Sequence, residues 1–396
     1  MKVKITSQDH FGRGVAKLDD KVIFVNGALP GEVCDIEIIK MKKKICEARV
    51  KEKYKTKSIN PICPYYGECG GCDLMHQDYQ EQGKFKEEEI RNLLHKFAGV
   101  DPLVLPIISG PSIQYRNKIV LHDLGLYQKE SHDVIKVSEC LLVHPKINEI
   151  IKRVFDFQKR FGGEFKEVMI RISNLNEVLL SVDGNVDSEK FTCEFKDITC
   201  LVVNDNILSE APYIKDKIGN FTFAISKNSF YQVNRFLTEA LYNEVIKHFK
   251  DNNIENVLDL YCGVGTMTQL VSPYVSHVTG IEIVEDAIKS ANIRKEENGC
   301  KNVDFICGKV EDFIDSFSKI DAIIVDPPRS GLDKKTVDTL LKIEADMIVY
   351  VSCDPVTLAR DIGILKEKYD VDSIQPVDMF PNTHHVECVA VLKLRK

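Results

Sequence analysis

No apolar run in these 396 residues approaches the roughly 20 that a membrane-spanning helix needs. The opening residues, Met1-Lys2-Val3-Lys4-Ile5-Thr6, lack the apolar core of a secretory signal, and the chain holds no low-complexity tract and no internal repeat. A cytoplasmic protein with no membrane partner is therefore expected. Overall basic charge is missing as well: the formal net charge is −7, which at first argues against a polyanionic partner. The distribution argues otherwise. Residues 1–60 carry 14 Lys and Arg against 8 Asp and Glu, a net of +6, which leaves −13 for the remainder. Lys40, Lys42, Lys43, Lys44, Arg49, Lys51, Lys53, Lys55 and Lys57 fall in alternating apolar and basic segments, the pattern of strands with one face to a core and a basic face to solvent. A merely solvated charged face is the plainer reading of that run.

The length exceeds what one hydrophobic core usually organises, so two or three domains are expected. Residues 1–54 read as short strands at a spacing near ten, Val3 to Ile5, Gly12 to Ala16, Val22 to Val25, Gly31 to Ile39 and Lys44 to Lys53, which suits a small closed barrel. Residues 55–211 begin with a cysteine cluster, continue in an amphipathic helix from about Tyr79 to Phe97, and run on in mixed α+β segments. Residues 212–396 alternate strand and helix patterns as a doubly wound α/β sheet of the Rossmann-like kind does.

Thirteen cysteines in a long chain of this character are no disulfide framework. Three cluster as C-x5-C-x2-C, Cys63, Cys69 and Cys72, with glycines that permit the tight turns needed to aim sulfurs at one point. A fourth partner is required. Cys140 is the foremost candidate, with His76, Cys193 and Cys200 behind it. Three close cysteines and one distant one suit a four-cysteine [4Fe–4S] cluster, whereas zinc more often sits between two CxxC knuckles; a site without metal is the third alternative.

In the last region, Asn256 to Tyr261 reads as a first strand running into the glycine turn Asp259-Leu260-Tyr261-Cys262-Gly263-Val264-Gly265-Thr266. A second strand ends at Glu282, 23 residues after Asp259, where a carboxylate can bind ribose hydroxyls. The turn lacks a third glycine and suits S-adenosylmethionine at least as well as a dinucleotide. A later strand ends in Asp326-Pro327-Pro328-Arg329-Ser330-Gly331, and the next ends at Cys353, just before a helix. Ligands of such sheets bind outside the strand ends. A free cysteine is ordinarily a small core residue, but this one stands where a nucleophile and the cofactor would share a pocket.

Five segments occur together in order: Phe230-Tyr231-Gln232-Val233-Asn234, the glycine turn, Asp326 to Gly331, Val351-Ser352-Cys353-Asp354-Pro355 running on to Asp361, and His385-Val386-Glu387. In this the chain resembles, nearly end to end, the S-adenosylmethionine-dependent RNA uracil-5-methyltransferases. Gly12-Arg13-Gly14-Val15-Ala16 and Val25 to Glu32 resemble the TRAM module, an OB-like RNA-binding barrel. Barrel and cysteine cluster together resemble the bacterial 23S ribosomal RNA branch more than the bacterial transfer-RNA branch.

The resemblance implies a multidomain protein: a TRAM-type OB-like β-barrel, an α+β domain carrying an iron–sulfur cluster on Cys63, Cys69, Cys72 and Cys140, and a Rossmann-like methyltransferase domain. It implies Cys353 as nucleophile and Glu387 as base, with Gln232 and Tyr261 at the methionine end of S-adenosylmethionine, Glu282 at its ribose and Asp326 near the reacting atoms. Carbon 5 of uracil is too weak a nucleophile to take a methyl group unaided, so covalent activation by a thiolate fits the residue types. An acid such as Glu387 beside a largely apolar strand also wants a reason. Arg329 and Arg360 stay open between holding phosphate and positioning the loop, and the adenine contact near Lys309 is left unassigned. The implied partner is RNA, 23S ribosomal RNA first, with no obligate protein partner. Tyr65, Tyr66 and Tyr115 are candidates for base stacking, with core packing as the alternative. A cytosine-5 RNA methyltransferase would carry a cysteine in the Asp326 to Arg329 motif, which has none, and a non-catalytic RNA-binding protein would not need both Cys353 and Glu387.

Overall fold

The structure, a computed structural model, describes residues 1–18, 20–250, 253–313, 317 and 319–396. Six strands form the N-terminal unit: β1 (Lys2–Lys4), β2 (Ser7–Gln8), β3 (Gly14–Leu18), β4 (Lys21–Asn26), β5 (Val33–Met41) and β6 (Ile45–Lys55), in the order β1-β5-β6-β4-β3-β2. The two edge strands are pieces of one stretch, with Ile5 N–H donating to Glu32 O at 3.0 Å and Thr6 N–H to Val15 O at 2.8 Å, so the sheet curls back on itself. Alternate residues, among them Ile23, Val25, Cys34, Ile36, Cys46 and Ala48, fill its interior, the period-two pattern of a small barrel. Lys40, Lys42, Lys43 and Lys44 are exposed at the β5–β6 turn. Arg49 and Lys53 are instead paired, with Glu37 at 2.7 Å and Glu32 at 3.0 Å.

Helix α1 (Tyr79–Leu93) begins at Asp78, whose carboxylate accepts the Gln80 N–H, and ends in a wide turn over Leu94–Ala98 before β7 (Leu103–Val104). Sequence counts this segment with the middle region, but its apolar face, Ile90, Leu93, Leu94 and Ala98, packs with Leu358, Ile362 and Leu365 of the C-terminal region, and β7 adds to the C-terminal sheet. A two-residue strand leaves no periodicity to read, which is why the crossing is invisible beforehand. Next come β8 (Lys118–His122), a ribbon of β9 (Leu126–Tyr127) and β10 (Val134–Ile135), α2 (Pro145–Phe161), β11 (Glu164–Ile172), β12 (Val178–Asn185), α3 (Ser188–Glu194), β13 (Cys200–Val203) and β14 (Asn206–Ile207). The sheet β14-β13-β12-β11-β8 is covered on one face by α2 and α3 through Ile147, Ile151, Val154, Phe157 and Phe191. Its other face, Met169, Leu179, Cys200 and Val202, shares a core with Phe223, Leu241 and Val257.

A hairpin of β15 (Ile214–Ile218) and β16 (Phe221–Ile225) leads to α4 (Thr238–Lys250), β17 (Asn256–Leu260), α5 (Thr266–Val271), β18 (His277–Glu282), α6 (Glu285–Glu297), β19 (Val303–Cys307), β20 (Ala322–Val325), α7 (Lys334–Ile343), β21 (Met347–Ser352), α8 (Pro355–Leu365), β22 (Tyr369–Val377) and β23 (Glu387–Leu394). The sheet order is β19-β18-β17-β20-β21-β23-β22-β7, with β19 through β21 parallel and β23 antiparallel between β21 and β22. Its central strands are continuous apolar runs because helices cover both faces. Among the described residues, no helix is long and apolar enough to cross a membrane.

Candidate active site

The glycine turn leaves β17 through three left-handed positions, Tyr261 (φ 63°), Gly263 (φ 55°) and Gly265 (φ 75°). A Cβ on Gly265 would stand 2.3 Å from Phe305 Cζ, so only glycine lets the turn lie against β19. Glu282, at the end of β18, accepts the Gly263 N–H at 3.2 Å and the Val284 N–H at 2.9 Å, bracing the turn with a carboxylate that retains free lone pairs. Tyr261 meets Thr336 Oγ1 at 3.2 Å through its hydroxyl. Asp259 is buried beside Thr268, whose hydroxyl it accepts; burial, with the Asp326 charge, pushes its pKa up to about 7. Gln232 is buried on the loop between β16 and α4, where its carbonyl accepts the Asn117 side-chain amide at 3.0 Å.

Cys353 follows the last paired residue of β21, Ser352, which lies opposite Cys388. One step further in the same register sets Cys353 against Glu387, the first residue of β23. Asp326, at the end of β20, and Arg329 complete the group. Burial pushes Glu387 up to about 8, with Asp326 raising it further and Arg329 opposing. Burial alone holds Asp326 at about 7. Burial, then the Glu387 charge, lifts the Cys353 thiol to about 11, again against Arg329. Three ionisable groups thus lie together where burial disfavours a negative charge on each, and the charges of Asp326 and Glu387 add to that for Glu387 and Cys353. A cation entering there favours all three ionised forms at once.

The loops around Cys353 are fixed. Asp354 caps α8, accepting the N–H groups of Val356 at 2.8 Å and Thr357 at 3.2 Å. Arg360 donates through Nη2 to Ser330 O at 2.9 Å and Leu332 O at 3.0 Å and through Nε to Asp361 at 2.8 Å, so it positions the loop after Asp326. Asp361, which sequence reasoning passed over, is fully buried and accepts from the Leu332 N–H and the Tyr350 hydroxyl, each at 2.8 Å. The adjacency of Arg360 and Asp361 was the only sign of that clamp. Tyr242 of α4, also missed, is buried and near enough to Asp326 and Glu387 to feel their charges.

Of the tyrosines named for base stacking, Tyr115 is fully buried with its hydroxyl on Pro381 O at 3.1 Å, and Tyr66 donates to Asp73 O at 2.6 Å. Both are braces, because each hydroxyl finds its partner inside the protein.

Cys63, Cys69, Cys72 and Cys140 line one cavity together with Arg116, whose buried Nε has no hydrogen-bond partner. Cys72 and Cys140 are pushed up first by burial, and each also feels the charge of other thiols in the group. Cys140 is held in place by Asn148, which accepts its N–H at 3.0 Å and donates to its carbonyl at 3.1 Å. The alternative fourth ligands fall elsewhere: Cys193 is exposed on α3, Cys200 is in the core of the middle sheet, and the His76 Nδ1 faces the Tyr66 hydroxyl. Among the described residues no group of three or more His, Cys, Asp or Glu side chains is placed to hold a metal ion, so the shared cavity is as far as the structure supports the expected cluster.

A sheet parallel from β19 to β21 with antiparallel β23 between β21 and β22, a glycine turn after β17 and an acid closing β18, is a Rossmann-like sheet built to take a nucleotide-type cofactor, here behind a strand-built N-terminal unit. Residues 195–395 match the tRNA (uracil-5-)-methyltransferase family and residues 1–51 the TRAM domain. An uncharacterized RNA methyltransferase of Clostridium tetani is 34% identical over 98% of this chain and 95% of its own length, and one from Bacillus cereus is 34% identical over 97% and 95%. The crystal structure of the Pyrococcus abyssi tRNA (uracil-54, C5)-methyltransferase with S-adenosyl-L-homocysteine superposes with a TM-score of 0.80 at 27% identity, covering 99% of both chains. The chain belongs to the RNA uracil-5-methyltransferase family, and it carries a TRAM domain. Membership of that family makes RNA its substrate class.

Proposed function

We propose that the protein methylates carbon 5 of a uridine in RNA through a covalent adduct on Cys353. The Cys353 thiolate adds to carbon 6, forming an S–C bond and moving electron density onto the carbon 5 side of the ring. Carbon 5 then takes the methyl group as the sulfonium–methyl bond breaks, leaving S-adenosylhomocysteine. Glu387, as carboxylate, removes the hydrogen still on carbon 5, the S–C bond breaks, and the thiolate returns. The observation that carries the reading is the register that sets Cys353 against Glu387 beside Asp326. With no ligand bound, these groups favour their neutral forms, and the sulfonium charge of the cofactor favours the ionised ones, so cofactor binding primes both nucleophile and base.

Glu282 is assigned to the ribose hydroxyls, Gln232 and Tyr261 to the methionine end, and Asp326 to the pocket wall beside the reacting carbon. The target base must leave its stack to reach Cys353, which directs the enzyme to a loop nucleotide. Cys63, Cys69, Cys72 and Cys140 are assigned to one [4Fe–4S] cluster, whose chemistry would be to hold the surrounding turns together; the convergent thiols beside Arg116 support this.

For the target we propose a uridine of 23S ribosomal RNA, supported by the basic barrel and by the resemblance carried by barrel and cysteine cluster. A tRNA target is the second reading, favoured by the likeness to the Pyrococcus enzyme over both full lengths. Mapping 5-methyluridine in 23S and transfer RNA from cells with and without the gene separates them: the first reading expects loss from 23S RNA, and loss from transfer RNA alone would replace it with the second.

A further inference from the structure

Strand β23 starts directly after an irregular loop, residues 378–386, and Glu387 is its first residue. Several polar contacts of that loop reach back to the segment around the cysteines and to α1, beside anchors on Ile108, Ser112, Tyr115 and Asn234. The Asn382 carbonyl accepts the N–H groups of both Asp73 and Leu74, each at 2.9 Å. Asn382 N–H donates to Gln82 Oε1 at 2.9 Å, and Gln82 Nε2 donates to Asn382 Oδ1 at 3.2 Å. These bonds hold Asn382 at φ 66°, a left-handed conformation that asparagine tolerates better than most residues. Two residues on, His384 Nδ1 lies 2.7 Å from Asp73 Oδ2, while Asp73 Oδ1 meets Lys129 Nζ at 3.0 Å. Beneath the loop, Lys86 and Asp378 form a fully buried ion pair at 2.6 Å, and Lys86 also donates to Phe380 O at 3.2 Å.

Asp73 directly follows Cys72, and Lys129 follows the ribbon strand whose Tyr127 carbonyl accepts the Gly70 N–H. The cysteine-bearing turn and the loop before Glu387 are therefore one hydrogen-bonded unit, with Asp73 at the joint. Cys353 shares the β21–β23 ladder with Glu387, but it has supports of its own in the pairing of β21 with β20, the Asp354 cap and the Arg360–Asp361 clamp. Glu387 is paired with Val377 of β22 but is the first residue of β23, so the loop that precedes it also bears on its placement.

We propose that Asp73 is a positioning residue for the second half of the reaction: through His384 and Asn382 it fixes how β23 presents Glu387, so the cysteine-bearing turn governs proton removal rather than adduct formation. This rests on the covalent reading of Cys353 and Glu387.

The test compares Asp73→Asn and His384→Ala with Glu387→Gln and the unaltered holoenzyme, using S-adenosylmethionine and a transcript that the unaltered enzyme methylates. Covalent protein–RNA complex, its single-turnover rate of formation, steady-state turnover and the visible absorption of the cluster are all read. In both variants the complex should accumulate as in Glu387→Gln and turnover should fall by about 100-fold, the cost of an ångström-scale misplacement of a reacting group. Formation rate and cluster absorption should stay within about twofold of the unaltered enzyme, and Asp73→Glu should recover part of the turnover. Unchanged turnover, or formation and resolution slowed alike, overturns the inference. If Glu387→Gln traps complex and neither other variant does, this inference alone fails. If Glu387→Gln traps none, the covalent reading fails and takes the inference with it.

Discussion

Asp259, Asp326 and Glu387 are carboxyl groups whose burial raises their pKa values to about 7, 7 and 8. A folded value above the unfolded one gives stability that is fully present below pH about 4 and is lost as the pH rises through about 7 to 8. The unliganded protein should therefore lose stability from these groups between pH 5 and 9, and S-adenosylmethionine, bringing a positive charge to the pocket, should oppose the loss. Urea midpoints across that range, with and without the cofactor, check this; an unliganded midpoint that held steady or rose would contradict it. The strand-end positions of Cys353 and Glu387 were legible in the sequence because each breaks an apolar pattern where a strand ends or begins. Arg329 and Tyr242 were less so, since their proximity to the pocket arises from folding and no local spacing encodes it.

The glycine turn, the acid closing β18 and the cysteine closing β21 are local features, and the strand–helix alternation around them was readable for the same reason. What could not be read was contact across long separations: α1 and β7 joining the C-terminal sheet, and Asn382 tied to Asp73. The turn itself yields a sharp expectation. Gly265→Ala places a Cβ against Phe305 at a left-handed φ, which should cost about 1–3 kcal/mol of stability. Because the turn must move to relieve the clash, cofactor affinity measured by calorimetry should fall by about tenfold or more. Unaltered affinity would show that the turn does not form the cofactor floor.

Three regions contribute at the scale of the whole molecule. The basic turn of the barrel carries Lys42, Lys43 and Lys44 in the open, whereas Arg49 and Lys53 are occupied by Glu37 and Glu32. Replacing Lys42, Lys43 and Lys44 by alanine should lower the slope of log affinity for RNA against log salt by about 2, at about 0.7 per single-strand phosphate contact, without changing cofactor binding. A slope left as it was would place the RNA elsewhere. Anaerobically purified protein should hold about four irons per chain and lose them on Cys140→Ser; stoichiometric zinc without iron would overturn the cluster assignment. The chemistry itself is tested most directly by the intact mass of the protein after incubation with S-adenosylmethionine and a uridine-containing transcript cut back to the bound nucleotide. Glu387→Gln should gain the mass of one methylated nucleotide fragment on Cys353, and Cys353→Ala should gain none and make no 5-methyluridine. Methylation by Cys353→Ala would contradict the account.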